Sequence, residues 1–266
     1  MTSRLIPNQL DKTYLLNMPP SGVGLLPQMQ IHGVTLANNH SMDFGYQGLF
    51  DTLSALHRLR IKVSGAGVDQ VSAIKPMTFS TAHGDVCVLA FSRTLPEEFW
   101  ATELRSGAAN LNFTRTAEHI KAVSSKCLFT FVTYHWGAEQ SNTAKPYQRK
   151  LAKLSIDSGA DAVIGHHPHV LQEIEIYEGK PILYSVGNFI FGTRPLYSTQ
   201  EGLGVRFQLS KNQITFMDLT PLSVKNTVVN FIPQLFEKKE KVDHFNPPRS
   251  CKLLTTAPYK KYRCKL

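Results

Sequence analysis

Asp161-Ala-Val-Ile-Gly-His166-His167-Pro168-His169-Val-Leu-Gln172 sets three histidines within four positions behind a short apolar run. Ala162 to Ile164 reads as a buried strand, and Gly165 ends it at the carboxyl edge, where α/β sheets usually carry their chemistry. Neutral imidazole is the commonest protein ligand for zinc-like metals, and alternate residues of an extended His-x-His can converge on one ion. The plainer alternative is a polar loop whose histidines bond locally. Three histidines behind Val-Ile-Gly favour the metal.

Two other stretches end in the same way. Val34-Thr-Leu-Ala37 runs into Asn38-Asn39-His40, followed by a segment in which Leu49, Leu53 and Leu56 recur at helical spacing. Leu128-Phe-Thr-Phe-Val-Thr133 runs into Tyr134-His135-Trp136-Gly137. A helix capped by Thr114 and carrying Ile120 and Val123 is expected before that strand, and one opening at Pro146 and stopping at Gly159 after it. Hairpins are expected around His83-Gly84-Asp85, Glu178-Gly179-Lys180 and Lys211-Asn212, the second finishing in Gly187-Asn188. Residues 1–30 and 96–112 read as irregular. Strand-helix units mixed with hairpins imply a layered α/β protein with mixed sheets.

Composition narrows the class. The 266 residues are 42% hydrophobic and 18% charged, enough for a full core in one large domain or two small ones. No apolar run is long enough for a transmembrane segment, and the start lacks the long apolar stretch of a signal peptide. Four cysteines are too few for a disulfide scaffold. Cys87 and Cys127 read as small core residues, and Cys251 and Cys264 could pair or stay free. The net charge of +9 is uneven, because nine Lys/Arg against three acids from Glu237 onward supply +6. That stretch reads as a solvated basic tail able to contact an anionic polymer. The expected division is an irregular segment 1–30, a domain 31–235 and a tail 236–266.

Asn39, His135, His167 and His169 together offer imidazoles and an amide oxygen, a donor set suited to zinc, manganese or iron. Such an ion polarises phosphoryl or carbonyl oxygens and acidifies water. His40 cannot easily bind the same ion as its neighbour Asn39. It is expected either to act as a general acid or to hydrogen-bond its own loop.

The motifs Asn38-Asn39-His40-Ser-Met-Asp43-Phe-Gly45, His135-Trp136-Gly137-Ala-Glu139, Gly165-His166-His167-Pro168-His169 and Tyr184-Ser-Val-Gly187-Asn188-Phe-Ile-Phe191 resemble, in order and spacing, those of CapA-type capsule (poly-γ-glutamate) synthesis proteins. These belong to the calcineurin-like metallophosphoesterase superfamily, and the resemblance runs from about Ile31 to Leu222. It implies a sandwich of two mixed β-sheets flanked by helices, with a two-metal site at the strand ends. It also implies Asn39, His135, His167 and His169 as metal ligands and His40 as the catalytic histidine. His166, Glu139 and Asn188 recur in the pattern as supporting residues. The family is often membrane-anchored and faces outside the cytoplasm.

One departure goes with the match. The family opens with a strand ending in a Gly-Asp metal motif and then an acidic motif, and neither precedes Ile31; Asp11 follows no apolar strand. The chain thus reads as lacking the first strand and the carboxylate-rich half of the site. A single ion and association through an exposed sheet edge are the expected consequences. Two functions follow: a metal-dependent phosphoesterase-type hydrolase of capsule polymer synthesis, acting on a phosphoester or an anionic polymer, or a non-catalytic polymer-binding member. Nucleic acid is not an expected partner.

Overall fold

The computed structural model describes residues 14–191, 201–230, 232–243 and 245–266, and the chain divides into two units, Met1–His135 and Trp136–Leu266. The first contains α1 (Leu25–Gln28), β1 (Gly33–Thr35), α2 (Gly45–Arg58), β2 (Lys62–Ser64), β3 (Ala66–Gly67), α3 (Gln70–Ala73), β4 (Met77–Thr81), β5 (Gly84–Ser92), β6 (Gly107–Ala108), α4 (Phe113–Ser124) and β7 (Phe129–His135). The second contains α5 (Pro146–Asp157), β8 (Ala162–His166), β9 (Ile174–Tyr177), β10 (Lys180–Leu183), β11 (Glu201–Ser210), β12 (Gln213–Ser223), α6 (Asn226–Val229), β13 (Gln234–Leu235), β14 (Cys251–Leu253) and β15 (Tyr262–Lys265). Both units combine parallel and antiparallel pairings with packed helices, the mixed α/β class that the residue pattern implies.

In the first unit β7 is buried from Phe129 through Tyr134, the signature of a strand covered on both faces. It pairs parallel with β5, and the register ends at Ser92 opposite His135. This pairing delivers His135 to the carboxyl edge, where Arg93 N–H donates to the His135 carbonyl at 2.8 Å. α4 packs on these strands, capped by Asn112, whose side chain accepts from Arg115 N–H. Asn112 takes the cap expected of Thr114 because it holds the extended backbone immediately before the first helical residue. α2 buries Leu49 and Leu56, with Leu56 packed against Ile61 and Val23. β1 pairs parallel with β2 and is the first strand among the described residues. Gly65 has φ 96°, and a Cβ there would lie 2.7 Å from Ala37 and 2.8 Å from Ala90. Only glycine lets the β1 exit, and with it Asn38-Asn39, approach β5 so closely.

The irregular reading of residues 1–30 needs amendment. A 3-10 turn at Pro20–Gly24 and α1 occupy part of that segment, and Val23 enters the core. Asp11 lies outside the described residues. Cys87 and Cys127 are not free core thiols but form a disulfide between β5 and the segment entering β7.

In the second unit β8 and β10 pair in parallel and β9 closes antiparallel on β10. α5 opens at Pro146, stops ahead of Gly159 at φ 106°, and packs on β8. A second sheet runs β11-β12-β15-β14, with β13 on the far end of β12. Leu171, Leu183, Leu203, Met217, Leu219 and Cys264 form the core of this unit.

The expected tail at 236–266 is therefore not a solvated arm. β15 pairs with β12 from Lys265 opposite Phe216 to Tyr262 opposite Leu219, and Cys264 is fully buried and disulfide-bonded to Cys251. Alternating Tyr262 and Cys264 give β15 an apolar face that the high lysine content conceals. Arg263 and Lys261 hold the buried Asp218 carboxyl below its usual range, at about 2, chiefly through hydrogen bonds from Arg263.

Candidate metal centre

In the first unit the loop after β1 is built around Asn38. Its Oδ1 accepts from His40 N–H at 2.8 Å and from the Ser41 hydroxyl at 3.0 Å. That turn projects Asn39 and His40 in different directions. Asn39 Oδ1 stands 3.0 Å from His135 Nε2. Two neighbouring donors on an octahedral cation with ligand distances of about 2.1 Å are about 3 Å apart, so this pair fits one ion. His40 is not at that pair. Its Nδ1 lies 2.7 Å from Asp43 Oδ2, a buried carboxylate that also accepts from Leu16 N–H at 2.8 Å. Asp43 is the acceptor in both contacts, which puts the imidazole proton on Nδ1.

In the second unit the β8 exit carries the histidine cluster. Gly165 is required there, because a Cβ would lie 1.9 Å from the Tyr184 carbonyl and 2.5 Å from the Trp136 indole nitrogen. His166 ends the strand, and burial pushes its imidazole down to about 4, so it stays neutral at pH 7. His167 and His169 follow in left-handed backbone, φ 97° and 60°. Bulky residues rarely adopt φ 97°, and such strain persists only where surrounding contacts enforce it.

Those contacts are visible. Gln140 N–H donates to Pro168 O at 2.8 Å, Gln172 Nε2 donates to Ser141 O at 2.8 Å, and Gln148 Nε2 donates to Gln172 Oε1 at 3.3 Å. These bonds tie the loop after Trp136 to the histidine loop and carry Glu139 with it. Ligand atoms of Glu139, His167 and His169 lie within 4.8 Å of one another. Glu139 is exposed and unbranched, so a small rotation can close this spread on one ion. Asn188 Oδ1 accepts from His169 Nδ1 at 2.8 Å, which fixes the tautomer that turns Nε2 to the cluster. Gly202 permits this placement, since a Cβ there would lie 1.9 Å from Asn188 O. Two imidazoles and a carboxylate are a donor set that zinc, manganese or iron accepts.

Every residue expected at a site except His166 thus falls in one of two local groups. Asn39 with His135 and His40 with Asp43 form the first, and Glu139, His167, His169 and Asn188 the second. His166 stands outside the donor cluster. Asp43 has no role in the motif resemblance; a carboxylate three residues past a strand-end histidine is the signal the sequence carries for it. Glu139 proves nearer the donors than its supporting label implied, because the bond from Gln140 to Pro168 could not be read from sequence.

The family model described as bacterial capsule synthesis protein PGA_cap matches residues 6–193. The chain belongs to that family. It is 32% identical over 217 residues to the PGA biosynthesis protein CapA of Bacillus subtilis (strain 168) and 31% over 220 residues to the capsule biosynthesis protein CapA of Bacillus anthracis. Each alignment covers 81% of this chain but only 57% and 53% of those relatives, so the chain spans little more than half their length. Among solved structures, a Thermus thermophilus sulfate thiohydrolase SoxB in complex with glycerol aligns with a TM-score of 0.50 at 14% identity. That alignment covers 77% of this chain and 35% of that one, and it supports the calcineurin-like phosphoesterase fold alone. No helix among the described residues is long and apolar enough to cross a membrane.

Proposed function

We propose that this PGA_cap-family chain is a metal-dependent hydrolase of the phosphoesterase type, working in the synthesis of a capsule polymer. The observation that carries the proposal is the gathering of Glu139, His167 and His169, with Asn188 fixing one imidazole. Asn39 and His135 offer a further donor pair. A divalent cation supplies Lewis-acid polarisation of a phosphoryl or carbonyl oxygen. The protein's own contribution beyond the ligands is His40. With Nδ1 donating to Asp43, its Nε2 would take a proton from an attacking water, and the imidazolium so formed would return that proton to a departing oxygen. Two disulfides and no free cysteine favour work in an oxidising compartment.

The non-catalytic alternative draws on a different observation, the cation-rich strands at the end of the second unit. One assay separates the two readings. Protein stripped with chelator and reloaded with manganese or zinc is expected to hydrolyse p-nitrophenyl phosphate mono- or diesters, and the His167→Ala/His169→Ala variant is not. Retained metal with no turnover on any such ester would instead favour the non-catalytic reading.

A further inference from the structure

The cations of the last strands do not point at random. Leu203, Val205 and Phe207 of β11, Met217 and Leu219 of β12, Tyr262 and Cys264 of β15 and Cys251 of β14 all belong to the core cluster. Strand alternation places their neighbours on the opposite face. Register then aligns Arg206 with Asp218, Asp218 with Arg263, and Arg263 with Lys252, in one row across four strands. Lys265 shares the Arg263 face of β15, and Lys261, just before the strand, reaches the same face through Asp218. Five cations thus share this face with the single carboxylate of Asp218, which is buried beneath Lys261 and Arg263 at 3.0 and 2.6 Å.

The two groups are held differently. Arg263 and Lys261 are pinned by Asp218, with side-chain exposures of 39% and 15%. Arg206, Lys252 and Lys265 are exposed at the periphery of the row. Neighbouring strands are about 4.8 Å apart and alternate residues about 7 Å apart along a strand, so the cations form a regular grid on a rigid support. A disulfide between β14 and β15 reinforces that support. A flexible basic arm would lose conformational entropy on binding, whereas these charges are already placed.

We infer that this sheet face binds a linear polycarboxylate of the polyglutamate type. Charge complementarity argues for an extended polyanion, and the bidentate hold of Arg263 on Asp218 shows that the face already accommodates a carboxylate. The choice of polymer rests on the capsule-polymer reading, but nothing here requires hydrolysis or a bound metal.

Binding of fluorescein-labelled polyglutamate by the intact chain, followed by anisotropy across a salt series in EDTA, tests the inference. The parent should bind, more weakly as salt rises. Arg206→Gln/Lys252→Gln/Lys265→Gln should weaken binding at least about tenfold with unchanged melting. Lys121→Gln/Lys126→Gln/Lys150→Gln removes the same charge from exposed lysines on α4, just after it and on α5, and should bind like the parent. Absence of parental binding at low salt would overturn the inference, as would equal loss in both triple variants. Preference for anionic phosphatidylglycerol vesicles over the polymer would also overturn it, because the occupant would then be a lipid surface. Chelator keeps hydrolysis silent throughout, so failure here leaves the metal-dependent reading standing, and the reverse holds too.

Discussion

The donor atoms of the two units are restrained in contrasting ways. In the first, Asn39, His40 and His135 occupy ordinary backbone, and side-chain bonds set their directions: Asn38 shapes the turn and Asp43 holds His40. In the second, His167 and His169 occupy left-handed backbone, and Glu139 reaches them from a loop whose next residue, Gln140, is also left-handed. Each such conformation costs about 1–3 kcal/mol and persists because other contacts enforce it. Here the bonds from Gln140 to Pro168 and from Gln172 to Ser141 do so. The lesson is that the second unit fixes the His167 and His169 backbone through strain and long-range bonds, at a cost in stability, while the exposed Glu139 side chain keeps freedom to rotate. The first unit's groups are cheap to hold, and among them the Asp43-bound His40 is the one suited to proton transfer.

Loss of proton transfer should give the largest effect. Asp43→Asn keeps an acceptor for Leu16 N–H but weakens control of the His40 tautomer, so turnover should fall about 100- to 10,000-fold with metal content unchanged. Equal loss of metal would show that Asp43 belongs with the donors instead. A smaller effect is expected across the second unit: Asn188→Ala frees His169 to rotate and should weaken metal affinity about 10- to 100-fold. Unaltered affinity in calorimetric titration would mean that backbone strain alone orients His169. The smallest effect isolates the strain itself. His167→Gly and His167→Ala remove the same ligand, but glycine tolerates φ 97°, so the glycine variant should be more stable by about 1 kcal/mol in denaturant unfolding. A tie would deny that the second unit stores strain.

Much of this arrangement was legible in the sequence because strand ends punctuate clearly. Apolar runs stopped at Asn38-Asn39-His40, at His135 and at Gly165-His166-His167, and the structure ends β7 and β8 at or beside the last two. Leu49 and Leu56 marked the buried face of α2. What stayed hidden depended on long-range contact. Pairing of Cys87 with Cys127 depends on β5 lying beside β7, forty residues apart. β15 is masked in the sequence because Lys261, Arg263 and Lys265 swamp the alternation of Tyr262 and Cys264, and only pairing with β12 shows the inward face. The pairing of Asp43 with His40 lay three residues away in plain view, yet no local rule separates it from a helix-capping acid.

Metal content per chain tests the central claim most directly. Protein stripped with chelator, incubated with manganese or zinc and dialysed should retain metal by inductively coupled plasma mass spectrometry, nearer one ion per chain than two. His167→Ala should retain almost none, and His40→Ala should match the parent. A parent that emerges metal-free, or a His167→Ala variant that holds as much metal as the parent, would contradict the account.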